Sequence, residues 1–338
     1  MSFRITKYFV VLIVCMLLNA CSMQSTEITD VPADTNISWP PPPQAERIRY
    51  LESFDEPTDL GIRPSVFRKF MDALAGQKET GMARPYAVAV YQQKTLVADP
   101  GLHAVHLFDQ ARRSYMLISV FEDEALESPV GVALGKDRIF VSDSVLGKVF
   151  ILDNKGQLLT SITELERPTG LVFDTVTNRL YVADTLSHQV VVFDEDGRKQ
   201  FAFGNRGSGD GEFNFPSHIF MSAGQLLVND NMNFRIQAFD GDGAFQSSFG
   251  NHGDGSGSFS QPKGVAADSD GNIYVAGATI DRIQVFSPQG EFLLAFGGKG
   301  NGAGQFLMPA GITIRNNRIY VADSYNRRIQ VFEYVGGD

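Results

Sequence analysis

"MPAGITIRNNRIYVADSYNRRIQVFEY", residues 308–334, holds three short runs of apolar and β-branched residues parted by polar turns. Runs of this length with turn residues between them read as strands of a meander, not as a helix. The same pattern recurs upstream. A proline followed by a short apolar run opens "RPYAVAV" (84), "SPVGVAL" (128), "RPTGLVF" (167), "FPSHIFM" (215) and "QPKGVAA" (261) as well as "MPAGITI" (308). A second run follows in each, "TLVAD", "IFVSD", "LYVAD", "LLVND", "IYVAG" and "IYVAD", then a third such as "RIQAFD" (235), and after a turn a fourth such as "EFLLAFG" (291–297). Six repeats of four short strands joined by hairpin turns predict an all-β, six-bladed β-propeller over residues 46–335.

The last repeat ends after its third strand, which would leave an open sheet edge. "RIRYLESF" (47–54) alternates apolar and polar residues as "EFLLAFG" does, so it is expected to supply the outer strand of the sixth blade and close the ring. Three glycine-rich stretches, "FGNRGSGDGEFNFP" (203–216), "FGNHGDGSGSFSQP" (249–262) and "FGGKGNGAGQFLMP" (296–309), lie 46 and 47 residues apart. A phosphate loop would open a helix. These run into a proline and a strand, so they read as connections between blades, where glycine permits positive φ. The insertion at 55–84 carries Val66, Phe67, Phe70, Met71 and Leu74 at helical spacing before Gly76, and a short helix is expected at 65–75.

The signature P-x-G-V-A, I-Y-V-A-D, N-R-I-Q-V-F, best written at 308–332, resembles that of the NHL-repeat family, over about 84–334. The resemblance implies a ring of four-stranded NHL-type blades. Some six-bladed propellers are metal-dependent lyases, lactonases or hydrolases, with ligands on the inner strands around the central channel.

At the N-terminus Arg4 and Lys7 precede an apolar run, Tyr8 to Leu18, too short to span a membrane. The run closes on Leu18-Asn19-Ala20-Cys21, which resembles the bacterial lipoprotein cleavage box. Residues 1–20 therefore read as a signal peptide and Cys21 as the lipid-bearing residue. With Cys15 removed and Cys21 lipidated, no disulfide is available. Ser22 in place of Asp points, by the usual sorting rule, to an outer-membrane lipoprotein facing the periplasm or the cell surface. Residues 21–45, ending in "SWPPPPQA", read as a proline-rich tether, with Trp39 set to meet lipid headgroups, the domain or its neighbouring prolines.

The net charge of −10 argues against sequence-blind nucleic-acid binding, which relies on Lys and Arg. Metal chemistry has a direct test in the inner strands. At the two channel-facing positions after each opening proline stand Ala87, Gly131, Gly170, His218, Gly264 and Gly311, then Ala89, Ala133, Val172, Phe220, Ala266 and Thr313. One imidazole cannot supply the ligands of a catalytic zinc, and no carboxylate is present for calcium. His218 reads as a solvated channel residue. Asp99, Asp143, Asp184, Asp230 and Asp323 end the second strands, with Gly277 in the fifth repeat. A carboxylate repeated in each blade fits turn capping better than catalysis.

Two functions remain open. One is a non-catalytic, lipid-anchored, monomeric scaffold without a cofactor, presenting its loops to a protein or cell-wall partner. The combination with a "WPPPP" tether resembles envelope proteins that accompany multihaem cytochromes, implying an accessory role in a redox complex. The alternative is a metal-dependent lactonase or lyase-type enzyme. For the scaffold, the expected docking residues are Arg206, His252 and Lys299 at the fourth position of the long loops, facing Glu122, Asp123, Glu124, Glu164 and Glu166 on the short ones. Such a bipolar face would orient a charged partner.

Overall fold

Five four-stranded antiparallel sheets and one five-stranded sheet form the blades of a six-bladed propeller in the computed structural model, which describes residues 37–62, 81–121 and 123–336. From the centre outward, blade 1 uses Ala87–Tyr91, Lys94–Asp99, Ala104–Asp109 and Ser114–Ile118. Blades 2 to 5 open with Pro129–Leu134, Pro168–Asp174, Pro216–Ser222 and Pro262–Ala267, and repeat the same order. Each inner strand packs beside the inner strands of both neighbours, and Pro309–Arg315 of blade 6 returns to Ala87–Tyr91.

Glycine lets these strands come so close. A Cβ on Gly131 would lie 1.9 Å from the Thr169 carbonyl of the next blade, and one on Gly170 would lie 2.3 Å from that of Ser217. The P-x-G signature is therefore a packing requirement at the axis. The outer halves of the blades meet through side chains. Six apolar clusters, one between each pair of neighbouring blades, make up the core.

Ring closure follows the expected design. Ile48–Phe54 pairs antiparallel with Arg328–Tyr334 from Ile48 opposite Tyr334 to Phe54 opposite Ile329. A further strand lies outside it. Ser38–Trp39 pairs with Ile48 and Arg49, and the Trp39 ring sits 5.7 Å from Phe296 and 5.9 Å from Phe332. Trp39, expected within the tether, thus packs on the domain, because burying an indole against two phenyl rings outweighs its solvation. Residues 37–45 belong to the propeller. Cys21 and the helix expected at 65–75 lie outside the described residues.

The glycine-rich connections share one fold. Each sends a phenylalanine, Phe213, Phe259 or Phe306, into the core between blades. Gly204, Gly250 and Gly297 have φ of +89°, +108° and +87°, and a Cβ there would meet that ring at 2.4 Å. A Cys-free tract of the chain thus closes its ring with one strand pairing and aromatic packing.

Deleting residues 37–54 exposes Phe332 and opens the edge of blade 6. The expected loss is several kcal/mol of buried apolar area, or more than about 10 °C in melting temperature. A deletion variant that melts with the intact protein contradicts the closure.

Candidate binding site on the loop face

Connections from one blade to the next, and the turns between second and third strands, all reach the same end of the propeller, here the loop face. This follows from the pairing, since each opening proline lies opposite the residue that ends its second strand, as Pro216 does with Asp230. That residue organises the face. Asp143 is fully buried and accepts N–H bonds from Glu127 and Ser128, both at 2.8 Å, and from Val145 and Leu146, both at 3.1 Å. Asp99 does the same for Ala83, Arg84, Gly101 and Leu102.

In blades 4 and 6 side chains replace three of the four N–H donors. Asp230 accepts from Asn214 N–H, Asn233, Arg235 and Gln237, and Asp323 from Leu307 N–H, Asn326, Arg328 and Gln330. The same glutamines also receive the N–H of Gly211 and Gly304, which fixes the glycine-rich loops to the blade. Burial opposes the charge of each carboxylate. At Asp99 the bond from His106 and the N–H groups of Ala83 and Arg84 outweigh it and hold the pKa below its usual value. At Asp323 burial prevails over Leu307, Asn326 and Arg328, and the pKa is raised. Asp184 likewise binds Glu166 N–H, Arg167 N–H and the Ser187 hydroxyl. These carboxylates cap turns, as their repetition implies.

Blade 5 departs from the rule at Gly277. There Asp281, one turn later, accepts the N–H of Met308 at 2.7 Å, ahead of the next blade's proline. His188 occupies the corresponding place in blade 3 and accepts from Phe215 N–H at 3.2 Å. His103 bonds the Glu127 carbonyl in blade 1. Both histidines are latches between neighbouring blades and do not share a site.

The docking residues expected from the sequence fall on this face with a different electrostatic pattern. Arg206, His252 and Lys299 are exposed and superimposable in the repeat, each forming one isolated bridge to the phenylalanine of its loop. Asp210, Glu212 and Asp254 share the first two loops, so the positive arc is interrupted. Glu212 is tied to Gly209 N–H and Asn205. On the other side Asp123, Glu164 and Glu166 are exposed, whereas Glu124 pairs with Lys148 at 2.6 Å; Glu122 lies outside the described residues. The Glu124 charge is compensated because a small hairpin, Val120–Phe121 with Glu124–Ala125, folds it against blade 2.

Apolar turn tips are the feature that sequence reading passed over. Two residues beyond the second-strand Asp stand Val145, Leu186, Met232 and Tyr325, exposed by 63%, 45%, 52% and 55%. Their backbone is held by the clamps, so the side chains cannot retreat inward. Alignment of the six repeats would have revealed them, since apolar residues fill a turn position where polar ones are ordinary.

At the axis, Tyr86 of blade 1 and His218 of the opposite blade 4 meet with ring centroids 5.3 Å apart. His218 is only 9% exposed, and neither ring nitrogen has a hydrogen-bond partner among the described residues. The solvated channel histidine expected from the sequence is therefore a buried one, because Tyr86 reaches across the ring. Burial, with a smaller contribution from the Lys263 charge, pushes its pKa down to about 3. Burial also lowers that of Lys263 and raises that of Tyr86, against the opposing influence of Arg167 and Arg84. Beside His218 a cavity of about 40 Å³ is lined by the inner-strand glycines. Toward the opposite face the channel widens to a funnel of about 550 Å³ of mixed character, walled by Leu134, Phe173, Phe220 and Ile314 and by Asp174, Thr177 and Thr313, with Arg315 set over Tyr91. No group of three or more His, Cys, Asp or Glu is placed to hold a metal ion among the described residues.

This geometry defines the chain as a six-bladed β-propeller, a ring whose faces carry sites that the fold itself does not specify. The NHL repeat family model matches residues 306–332, a six-bladed beta-propeller model matches 172–225, and a beta-propeller repeat model matches 253–281. Comparison with curated proteins gives no match. Among solved structures, an auxiliary nutrient binding protein from Bacteroides thetaiotaomicron is similar with a TM-score of 0.60 and 14% identity, over 77% of this chain and 71% of that one. A streptogramin B lyase has a TM-score of 0.56 and 14% identity, over 75% of this chain and 94% of that one. Kuenenia stuttgartiensis hydrazine synthase has a TM-score of 0.54 and 11% identity, over 76% and 97%. Enzymes and a binding protein thus share the ring, and at these identities the likeness is one of fold.

His218 makes stability depend on pH with a definite sign. Its folded-state pKa of about 3 lies below the ordinary value of 6.5, so the unfolded chain binds the extra proton and stability falls as pH drops below 6.5. Between pH 6.5 and 4.5 the imidazole should contribute about 2 kcal/mol of loss. Denaturant titrations of wild type and His218→Gln should converge by about that amount over the interval, and parallel pH profiles would contradict the burial of a neutral imidazole.

Proposed function

We propose that the chain is a binding scaffold of the bacterial envelope, docking a protein or cell-wall partner on its loop face and held at the outer membrane by lipid on Cys21. The observation that carries the reading is the set of apolar tips, Val145, Leu186, Met232 and Tyr325, at one turn position in four blades. Exposed apolar side chains grouped on one rigid face favour association, and the clamps lower the backbone part of the ordering cost. Arg206, His252 and Lys299 on the outer loops, with Asp123, Glu164 and Glu166 opposite, add orientation at the rim.

Anchoring rests on the apolar run and on Leu18 to Cys21. Diacyl attachment would hold the propeller to a bilayer through the residues before Ile37. An accessory role beside an envelope redox complex rests on the "WPPPP" segment, and the occurrence of the same ring in a streptogramin B lyase keeps an enzyme, metal-dependent in the lactonase or lyase manner, as the competing reading. Stoichiometric metal in purified protein would favour the enzyme.

Photo-crosslinking in intact cells tests the docking face. A photoreactive residue at Leu186, Met232 or Tyr325 should give one discrete adduct, and at Val176, 88% exposed on the opposite face, none. With the photoreactive residue at Leu186, replacing Val145, Met232 and Tyr325 by Ser should abolish the adduct and leave stability within about 0.5 kcal/mol per site. Equal adducts from both faces would refute the assignment. For the anchor, Cys21→Ser is expected to release the protein from membranes or to accumulate as precursor, and unchanged membrane fractionation would exclude a lipid tether.

A further inference from the structure

Donors without an acceptor gather at the axis of the loop face. His218 occupies the position that is glycine or alanine in the other five blades. Its ring is nine-tenths buried and both nitrogens lack partners among the described residues. Lys263 of the adjoining blade 5 is half-buried, and its ammonium forms no hydrogen bond or ion pair among the described residues. The Tyr86 ring closes over His218 from across the ring, and Arg84 and Arg167 stand directly before the opening prolines, Pro85 and Pro168, of blades 1 and 3. Those two guanidinium groups are likewise without partners among the described residues.

A cation drawn out of water without a counterion is costly, as is a buried imidazole with both nitrogens unmet. The carboxylates that would neutralise this cluster are already committed: Asp99, Asp184 and Asp230 each accept three or more bonds from the turns around them. The missing partner is an anion supplied from outside. Beyond the axis the apolar tips surround the opening, suited to a hydrocarbon body behind the charged group.

From this juxtaposition of His218, Lys263, Tyr86, Arg84 and Arg167 we infer that the axial opening binds a carboxylate, borne by a small organic acid or by the C-terminus of a peptide. Lys263 and the arginines supply the opposite charge, and the imidazole donates a hydrogen bond to one oxygen. The inference deepens the scaffold reading by giving the partner a recognisable end, and it rests on that reading only for the peptide source.

The test needs no macromolecular partner, so its outcome is independent of the crosslinking experiment. Purified full-length protein is titrated with sodium acetate, the tripeptide Ala-Val-Leu, that tripeptide's C-terminal amide and inorganic phosphate. Calorimetry reports affinity and the resonances of isotope-labelled histidine report the site. Acetate and the free tripeptide should saturate and shift the His218 signal, with the amide and phosphate at least about tenfold weaker, equivalent to about 1.4 kcal/mol. Tighter binding of the tripeptide than of acetate identifies a peptide terminus as the source, and equal binding identifies a small organic acid. Lys263→Gln should weaken both at least tenfold, and Arg167→Gln, altered at an exposed side chain, provides a folded second variant with the same direction. A His218 signal unmoved by either carboxylate, or an amide or phosphate that binds as tightly, overturns the inference.

Discussion

A buried carboxylate tied to the backbone of two separate segments holds the loop face together. In five of the six blades the aspartate ending the second strand joins the turn that follows it to the connection arriving from the previous blade. Each charge-assisted bond contributes about 1.5–3 kcal/mol, enough for three or four to offset the desolvation of one carboxylate. Two consequences follow. The loops are fixed without a disulfide, and the carboxylates are occupied by structure. Blade 5, which has Gly277 instead, keeps its register through Asp281 and Met308, so the constraint is the link between blades and not the residue at one position.

Much of this arrangement is legible in the chain because it is periodic. The six proline-led repeats, the strand at 48–54 that completes the sixth blade, the positive-φ glycines and the capping role of the repeated aspartates all have local or repeating signatures. Single events do not. Trp39 joins the propeller through Phe296 and Phe332, residues far along the chain, and nothing in "SWPPPPQA" encodes that contact. Tyr86 and His218 meet only because blades 1 and 4 face each other, and Glu124 loses its free charge only because a small hairpin carries it to Lys148. The apolar tips were readable in principle, since four repeats place Val, Leu, Met and Tyr at one turn position.

Rigidity of the loop face links fold to function. Clamped turns present Val145, Leu186, Met232 and Tyr325 without room to bury them, and the inner strands bring an unpaired ammonium and imidazole to the axis of the same face. An apolar ring around a cationic centre is complementary to a partner that is apolar with an acidic end, and that complementarity is a property of side chains added to a ring shared by lyases and binding proteins alike.

Hydrogen exchange on an Asp230→Ala variant measures the clamp directly. The account predicts faster exchange at Asn214, whose N–H bonds Asp230 at 2.6 Å, and through the glycine-rich loop at 203–215 and the turn at 231–235, with blades 1 and 2 unchanged. Exchange that stays at the wild-type rate in both segments, or that rises evenly around the ring, would contradict it.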